Sequence, residues 1–202
     1  MNFYTLLAKQ AVENYIKEEK IISLPSDLPE EFLHRKSGTF VTVMRNDELR
    51  GCIGTYLPIR ENIAEEIIYN AVAAATEDYR FGLIQEEELP YLSYIVYILN
   101  KPELVKDTNE LDPKKFGIIV KTAPILDSRP FGRGSPFGAA KRSEVIFDGI
   151  NPLKSGLLLP DLEGVDTVEQ QISIACQKAG IDPEKEKTII YKFTVEKYTK
   201  ND

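Results

Sequence analysis

Residues that bind metals or form disulfides are scarce in this chain. Its 202 residues include one histidine, His34, two cysteines, Cys52 and Cys176, and no tryptophan. A zinc site of the Cys/His type needs about four ligands close together, and a cysteine-ligated iron–sulfur cluster needs several thiolates. The sequence therefore predicts no metal centre and no cofactor, and it favours two reduced thiols over a disulfide scaffold.

Long apolar runs are also missing. The stretch from 94 to 99 is far shorter than the roughly 20 residues that a membrane-spanning helix needs. Residues 1–20 mix Lys and Glu into an apolar pattern and lack the parts of a secretory signal. We therefore expect a cytoplasmic protein that has no contact with membranes. The net charge of −7 also disfavours nucleic-acid binding over the whole surface.

An ordinary composition, with 43% hydrophobic and 28% charged residues, indicates a globular core. The apolar periodicity predicts helices over 3–19, 61–77 and 167–180, and strands over 40–44, 49–53, 92–99, 117–120, 156–159 and 189–198. This order is typical of an α+β protein with a mixed, largely antiparallel sheet and packed helices. At this length, we expect residues 1–202 to form a single domain of two closely packed subdomains.

The first two strands are expected to form a hairpin around the polar residues 45–48. If Met44 pairs with Leu49, Cys52 lies opposite Val41, and its side chain shares the face that Val41 and Val43 occupy.

Two helix ends carry recognisable signals. Thr167 with Gln170 three residues later predicts a capping box at the start of the third helix. Gly82, after the second helix, is expected to stop that helix in the left-handed conformation.

The run Arg50-Gly51-Cys52-Ile53-Gly54 places a guanidinium and a thiol between glycines. Glycines let a ligand or another backbone approach closely, and a nearby cation favours the thiolate. The run is equally typical of a glycine-rich bend in a packed sheet that buries its cysteine.

This run also carries a resemblance, because Leu49 to Thr55 is similar to the signature of the AMMECR domain family. The similarity extends over nearly the whole chain. It includes Asp78-Tyr79-Arg80-Phe81, the second glycine-leucine signature from Ser155 to Pro160, the helix before Gly180 and the closing Tyr191-Lys192-Phe193.

The resemblance implies an AMMECR-like α+β fold with a larger and a smaller subdomain, but no established reaction. Prokaryotic members often accompany a Memo-like protein and a radical S-adenosylmethionine enzyme, and this trio is called the AmmeMemoRadiSam system. The family also has a suggested regulatory role that involves nucleic acids.

One segment departs from the family pattern. Residues 123–150 are longer than the turn expected between those strands, and 123–143 combine proline and glycine with four cations against Asp127. We predict an irregular basic inserted loop, which either contacts phosphates or single-stranded nucleic acid or is simply solvated.

The main functional hypothesis is a small-molecule or partner site around 49–55. The residues assigned to binding are Arg50, Gly51, Gly54, Thr55, Asp78 and Arg80. An alternative is a thiol-dependent enzyme in which Cys52 reacts and Arg50 holds an anionic substrate group. That chemistry needs a base, and His34 lies outside the motif. A structural alternative for Asp78 and Arg80 is that they cap the helix end, or pair with each other, and so fix the path of the chain.

Overall fold

The computed structural model describes residues 2–123 and 154–201. This part holds helices α1 (Phe3–Glu18), α2 (Glu30–His34), α3 (Ile63–Thr76) and α4 (Val168–Ala179). Its strands are β1 (Thr39–Arg45), β2 (Glu48–Gly54), β3 (Leu92–Leu99), β4 (Glu103–Leu104), β5 (Gly117–Thr122), β6 (Ser155–Leu158), β7 (Thr188–Phe193) and β8 (Val195–Tyr198). Two 3₁₀ turns cover Glu86–Tyr91 and Thr108–Glu110. The predicted basic loop lies outside the described residues, apart from residue 123.

The strands form two four-stranded sheets with the orders β2-β1-β3-β8 and β4-β7-β5-β6. Every pairing in the described part is antiparallel. The predicted α+β class is therefore confirmed. The predicted single strand over 189–198 is wrong, because it divides into β7 and β8, which belong to different sheets. The Thr194 carbonyl between them accepts the Asn100 N–H, so the chain crosses between the sheets at that residue.

Local chemistry explains most helix ends. Asn2 and Asn62 cap α1 and α3 with their side chains, and Thr167 forms the predicted capping box with Gln170. Gly180 ends α4 with a φ of 63°. The prediction for Gly82 is wrong, because α3 already ends at Thr76 and Gly82 is not among the described glycines with positive φ.

Each sheet packs one face against helices. Val41, Val43 and Val96 of the first sheet lie in a core with α1 and α3. In the second sheet, Ile118 and Val120 pack with α4. A third cluster, the intersheet cluster, lies between the two sheets. It includes Phe40, Tyr97, Leu99, Ile119, Leu157 and Phe193. Among the described residues, no helix combines the length and the apolar character needed to cross a membrane.

A bulge in β2 sets the direction of Cys52. Met44 pairs with Leu49 as predicted, but Val43 pairs with Gly51, which leaves Arg50 as the extra residue. Cys52 therefore pairs with Thr42, and the predicted pairing with Val41 is wrong. Because alternate residues face opposite sides, the shift moves the thiol from the helix side to the side of the intersheet cluster.

One glycine in each sheet permits close contact with a helix. A Cβ atom at Gly51 would overlap the carbonyl oxygen of Ala74 in α3, and one at Gly156 would overlap that of Ala175 in α4. Both glycines lie in edge strands, β2 and β6. The two glycine signatures in the sequence thus have the same physical role, which is to let a helix backbone contact an edge strand.

Gly51→Ala should destabilise the protein by roughly 1–3 kcal/mol or more, because the backbone of α3 cannot move aside as a flexible side chain can. Gly82→Ala is the matched control, since nothing lies within 4 Å of its added Cβ. Urea unfolding, followed by circular dichroism, measures the free energy of unfolding of both variants. Equal stability of both variants would show that α3 does not contact β2 in this way.

Candidate functional site

The Arg50 side chain forms most of its possible hydrogen bonds within the protein. Its Nε and Nη2 donate to the two carboxylate oxygens of Glu88, each at 2.9 Å, and the remaining contacts are with the carbonyl oxygens of Gly82 and Leu83 at 2.8 and 3.1 Å. Arg45 also donates to Glu88, at 3.0 Å. Arg50 thus joins the bulge of β2 to residues 82–88.

Glu88 is the acceptor that makes this arrangement possible. Its side chain is only 11% exposed, and its Oε1 accepts the Gln85 N–H at 3.0 Å. The ion pair with Arg50 holds the pKa of Glu88 at about 2, although partial burial opposes that shift. Glu88 is therefore ionised throughout the neutral range.

Thr55 and Gly54 are likewise used within the fold. The Thr55 hydroxyl donates to Glu66, a fully buried carboxylate that also accepts the N–H groups of Ile59 and Arg60 at 2.9 Å. A Cβ at Gly54 would overlap the ring of Phe40. These residues hold the end of β2 and the loop that follows it.

Cys52 has a different environment. Its thiol accepts a hydrogen bond from the Thr42 hydroxyl at 3.2 Å, and its N–H donates to Asp78 Oδ2 at 2.8 Å. The residue is half-buried. Asp78 therefore satisfies a backbone donor of the edge strand from the loop that follows α3.

Asp78 also fixes Arg80. The Arg80 Nε and Nη2 donate to its two oxygens at 2.9 and 2.6 Å, and the Arg80 N–H adds a bond of 3.2 Å. These donors and the Cys52 N–H lower the pKa of Asp78 to about 2. The Asp78 side chain is 3% exposed, whereas that of Arg80 is 47% exposed. The expected structural pairing at the helix end is present, and it places a half-exposed guanidinium beside Cys52.

Lys178 of α4 lies at the edge of the second sheet. Its Nζ donates to the carbonyl of Leu157 in β6 at 3.0 Å, and Leu157 packs in the intersheet cluster with Tyr97. Lys178 as a whole is exposed. Partial burial of its ammonium lowers the pKa of Lys178, and the positive charge of Arg80 lowers it further, whereas Cys52 acts in the opposite direction.

The thiol itself is not activated. Burial raises the pKa of Cys52 above its usual value, and the Thr42 hydrogen bond and the charges of Arg80 and Lys178 only partly offset this effect. At neutral pH, Cys52 is therefore a neutral thiol. Cys176 of α4 is 2% exposed and packs in the core of the second sheet.

Other chemistry is sparse around this group. His34 ends α2 with its side chain 71% exposed, and its Nε2 lies 3.4 Å from Glu30. Within residues 2–123 and 154–201, no cluster of three or more His, Cys, Asp or Glu side chains has the geometry to hold a metal ion. Two open depressions, of about 430 and 310 Å³, are lined by other segments of the chain.

The fold is that of an α+β protein with two antiparallel sheets, and Asp78 and Arg80 from the loop after α3 lie at the edge of the first sheet, next to Cys52. A family model described as AMMECR1 matches residues 5–198. The chain therefore belongs to the AMMECR1 family, as its motifs indicated.

Similar proteins occur in bacteria and archaea. A protein from Thermotoga maritima is 43% identical, and the match covers 96% of both chains. A Clostridium acetobutylicum protein is 39% identical over 96% of this chain, which corresponds to 35% of that protein's length. The crystal structure of an uncharacterized protein from Pyrococcus horikoshii superposes with a TM-score of 0.76 at 31% identity, covering 96% of this chain and 88% of that one.

Sequence reasoning missed Thr42, whose hydroxyl donates to the Cys52 thiol. Thr42 looks like an ordinary strand residue. Only the bulge at Arg50 brings it opposite Cys52. The alternating pattern of β1 places Thr42 on the face opposite Val41 and Val43. That pattern points to Cys52 only if the register between β1 and β2 is known.

The Glu88 pKa predicts how stability depends on pH. A carboxyl with a folded-state pKa lowered from 4.5 to about 2 contributes about 3 kcal/mol above pH 4.5, and this contribution is lost as the pH falls toward 2. Glu88→Gln should therefore cost roughly 3 kcal/mol at pH 7 and progressively less below pH 4.5. Urea unfolding at a series of pH values measures the free energy of unfolding of the wild type and of Glu88→Gln.

Glu86→Gln, in the same 3₁₀ turn but exposed, is the matched control and should change stability by less than about 0.5 kcal/mol. A pH-independent difference between wild type and Glu88→Gln would contradict the assigned role of the ion pair.

Proposed function

We propose that this AMMECR1-family chain is a cytoplasmic binding protein whose ligand or partner site surrounds Cys52 and Arg80. One observation carries the proposal. Arg80 is held in place by the buried Asp78, which also accepts the Cys52 N–H, yet about half of the Arg80 side chain remains open to solvent. A cation that a buried carboxylate holds in place is a pre-organised binding group, because little side-chain freedom is lost when a ligand arrives.

The 49–55 motif supports this site from within the fold. Arg50, Gly51, Gly54 and Thr55 use their contacts to position β2, the following loop and α3. We assign them the role of holding Cys52 and its neighbours in place. The groups left to meet a ligand are the Cys52 thiol and Arg80, with Asp78 as the positioning residue for Arg80.

Binding fits the chemistry better than catalysis by the thiol. A nucleophilic cysteine needs a lowered pKa or an adjacent base, whereas burial raises the pKa of Cys52. The chain's single histidine is exposed and lies beside Glu30, and the low pKa of Asp78 makes that carboxylate a weak base. The thiol-dependent enzyme is the alternative, with Lys178 as the group whose pKa is lowered.

Association with a Memo-like protein and a radical S-adenosylmethionine enzyme is part of this proposal. It rests on the family resemblance, which implies the AmmeMemoRadiSam system as the setting. The free thiols of Cys52 and Cys176 agree with a reducing compartment.

Alkylation of Cys52 by iodoacetamide tests the proposal directly. In the protein alone, the reaction should be slow at pH 7, with an inflection above the usual thiol pKa, because burial raises the pKa of Cys52. Fractions of a small-molecule extract, and the purified Memo-like and radical enzyme partners, are then added in turn. A bound ligand or partner should slow alkylation of Cys52 severalfold.

The buried Cys176 is the internal reference, and Cys52→Ser identifies the modified residue by intact mass. Cys52→Ser should leave the thermal midpoint nearly unchanged, because a hydroxyl can keep the hydrogen bond with Thr42. Absence of protection by every fraction and both partners would overturn the binding proposal. A fast reaction with an inflection below the usual thiol pKa would favour the enzyme.

A further inference from the structure

We propose that a second copy of this chain docks on an exposed patch formed by the loop after β2 and by α3, so that two chains make a symmetric dimer. The patch consists of Leu57, Ile59, Arg60, Glu65 and Tyr69. This inference goes beyond the proposed binding function and does not depend on it, because the patch is built from other residues than the Cys52 site.

The apolar part of the patch lies in solvent. Ile59 is 69% exposed, Leu57 is 51% exposed, and Tyr69 exposes 36% of its surface in the middle of α3. The other large apolar residues of α3 are buried, so Tyr69 is an exception on its own helix. Exposed apolar side chains that lie together mark interaction surfaces, whereas single ones are ordinary.

A buried carboxylate fixes the loop that carries these side chains. Glu66 of α3 is 1% exposed and accepts the N–H groups of Ile59 and Arg60, each at 2.9 Å, together with the Thr55 hydroxyl. Burying a carboxylate is costly unless its oxygens accept several hydrogen bonds, as they do here. The loop is therefore held against α3, and little backbone freedom is lost when another surface packs on it.

Arg60 connects the loop to Tyr69. Its guanidinium carbon lies 3.6 Å from the centroid of the Tyr69 ring, which is a close cation–π contact. Within residues 2–123 and 154–201, the guanidinium has no hydrogen-bond acceptor, and its Nε is shielded from water. Arg60 thus combines a fixed position with N–H groups that an acceptor on another molecule can use. Arginine and tyrosine are also the residue types enriched at protein interfaces.

Glu65 supplies the opposite charge in the same patch. It precedes Tyr69 by four residues in α3, so both side chains lie on one face of the helix. Its carboxylate accepts only the Glu61 N–H, at 3.4 Å, among the contacts of the described residues. The patch therefore holds one cation and one carboxylate that form no ion pair in the described part of the chain.

This charge pattern favours a second copy as the occupant. In a two-fold symmetric interface the same patch meets itself, so Arg60 of each copy can pair with Glu65 of the other around a centre of Leu57, Ile59 and Tyr69. Two chains that each carry a net charge of −7 repel each other over most of their surface. A patch with both charges balanced is where such chains can approach.

Sedimentation velocity of the full chain over a dilution series tests this inference. Wild type should show a monomer–dimer equilibrium. Ile59→Glu should weaken dimerisation by about tenfold or more, because each copy brings a carboxylate into the apolar centre. Its thermal midpoint should stay unchanged, since the Ile59 side chain is mostly in solvent. Leu104→Glu is the matched control, because Leu104 is 53% exposed on β4 of the other sheet, and it should leave the dimer intact.

A charge exchange tests the ionic pairing without relying on loss of function. Arg60→Glu and Glu65→Arg should each dimerise more weakly than wild type, because like charges then face each other across the interface. An equimolar mixture of the two variants should recover the dimer, since each pair again joins opposite charges. Misfolding of either variant cannot produce this recovery.

Three outcomes would overturn the inference: a monomeric wild type at every concentration, a dimer that Ile59→Glu leaves intact, or a mixture of the charge variants that stays monomeric. A monomeric wild type would leave the patch to a different protein. None of these outcomes bears on the protection of Cys52 from alkylation, so the proposed binding function stands or fails separately.

Discussion

A single buried carboxylate, that of Asp78, links the edge of the first sheet to the cation of the proposed site. It accepts the Cys52 N–H and three donors from Arg80. A buried carboxylate without such partners would be costly, so Arg80 and the strand edge stabilise Asp78 as much as Asp78 positions them. The position of Arg80 relative to the Cys52 backbone therefore depends on the path of the chain immediately after α3.

That path depends in turn on contacts made by residues 49–55. Gly51 lets β2 touch the backbone of α3, and Arg50 holds residues 82–88 against the bulge. Residues 76–88 are thereby fixed at both ends. Within the 49–55 motif, Arg50, Gly51, Gly54 and Thr55 thus make structural contacts, and Cys52 is the motif residue assigned to the proposed site.

Much of the fold could be predicted from the sequence, because its signals are local. The capping box at Thr167, the apolar stripe of α3 and the alternation of β3 each act within a few residues. The five-residue helix α2 was missed, since it is too short to show a helical period. The break at Thr194 was missed because β7 and β8 continue one alternating pattern while changing sheets.

The site was less predictable for a physical reason. A single extra residue at Arg50 reverses the face of every side chain after it in β2, and no residue type marks the bulge. Asp78 reaches the Cys52 N–H from a position 26 residues further along the chain. Such long-range contacts leave no periodic signal in a single sequence.

The pKa of Asp78 is the most direct test of this account. Carbon-13 NMR of the carboxyl group, recorded with the Cys52 amide shift as the pH is lowered, measures it in the unmodified protein. The account predicts a pKa of about 2, so neither signal should change as the pH passes through 3.8. An ordinary titration near 3.8, with no response of the Cys52 amide, would show that Asp78 does not hold Arg80 and the strand edge together.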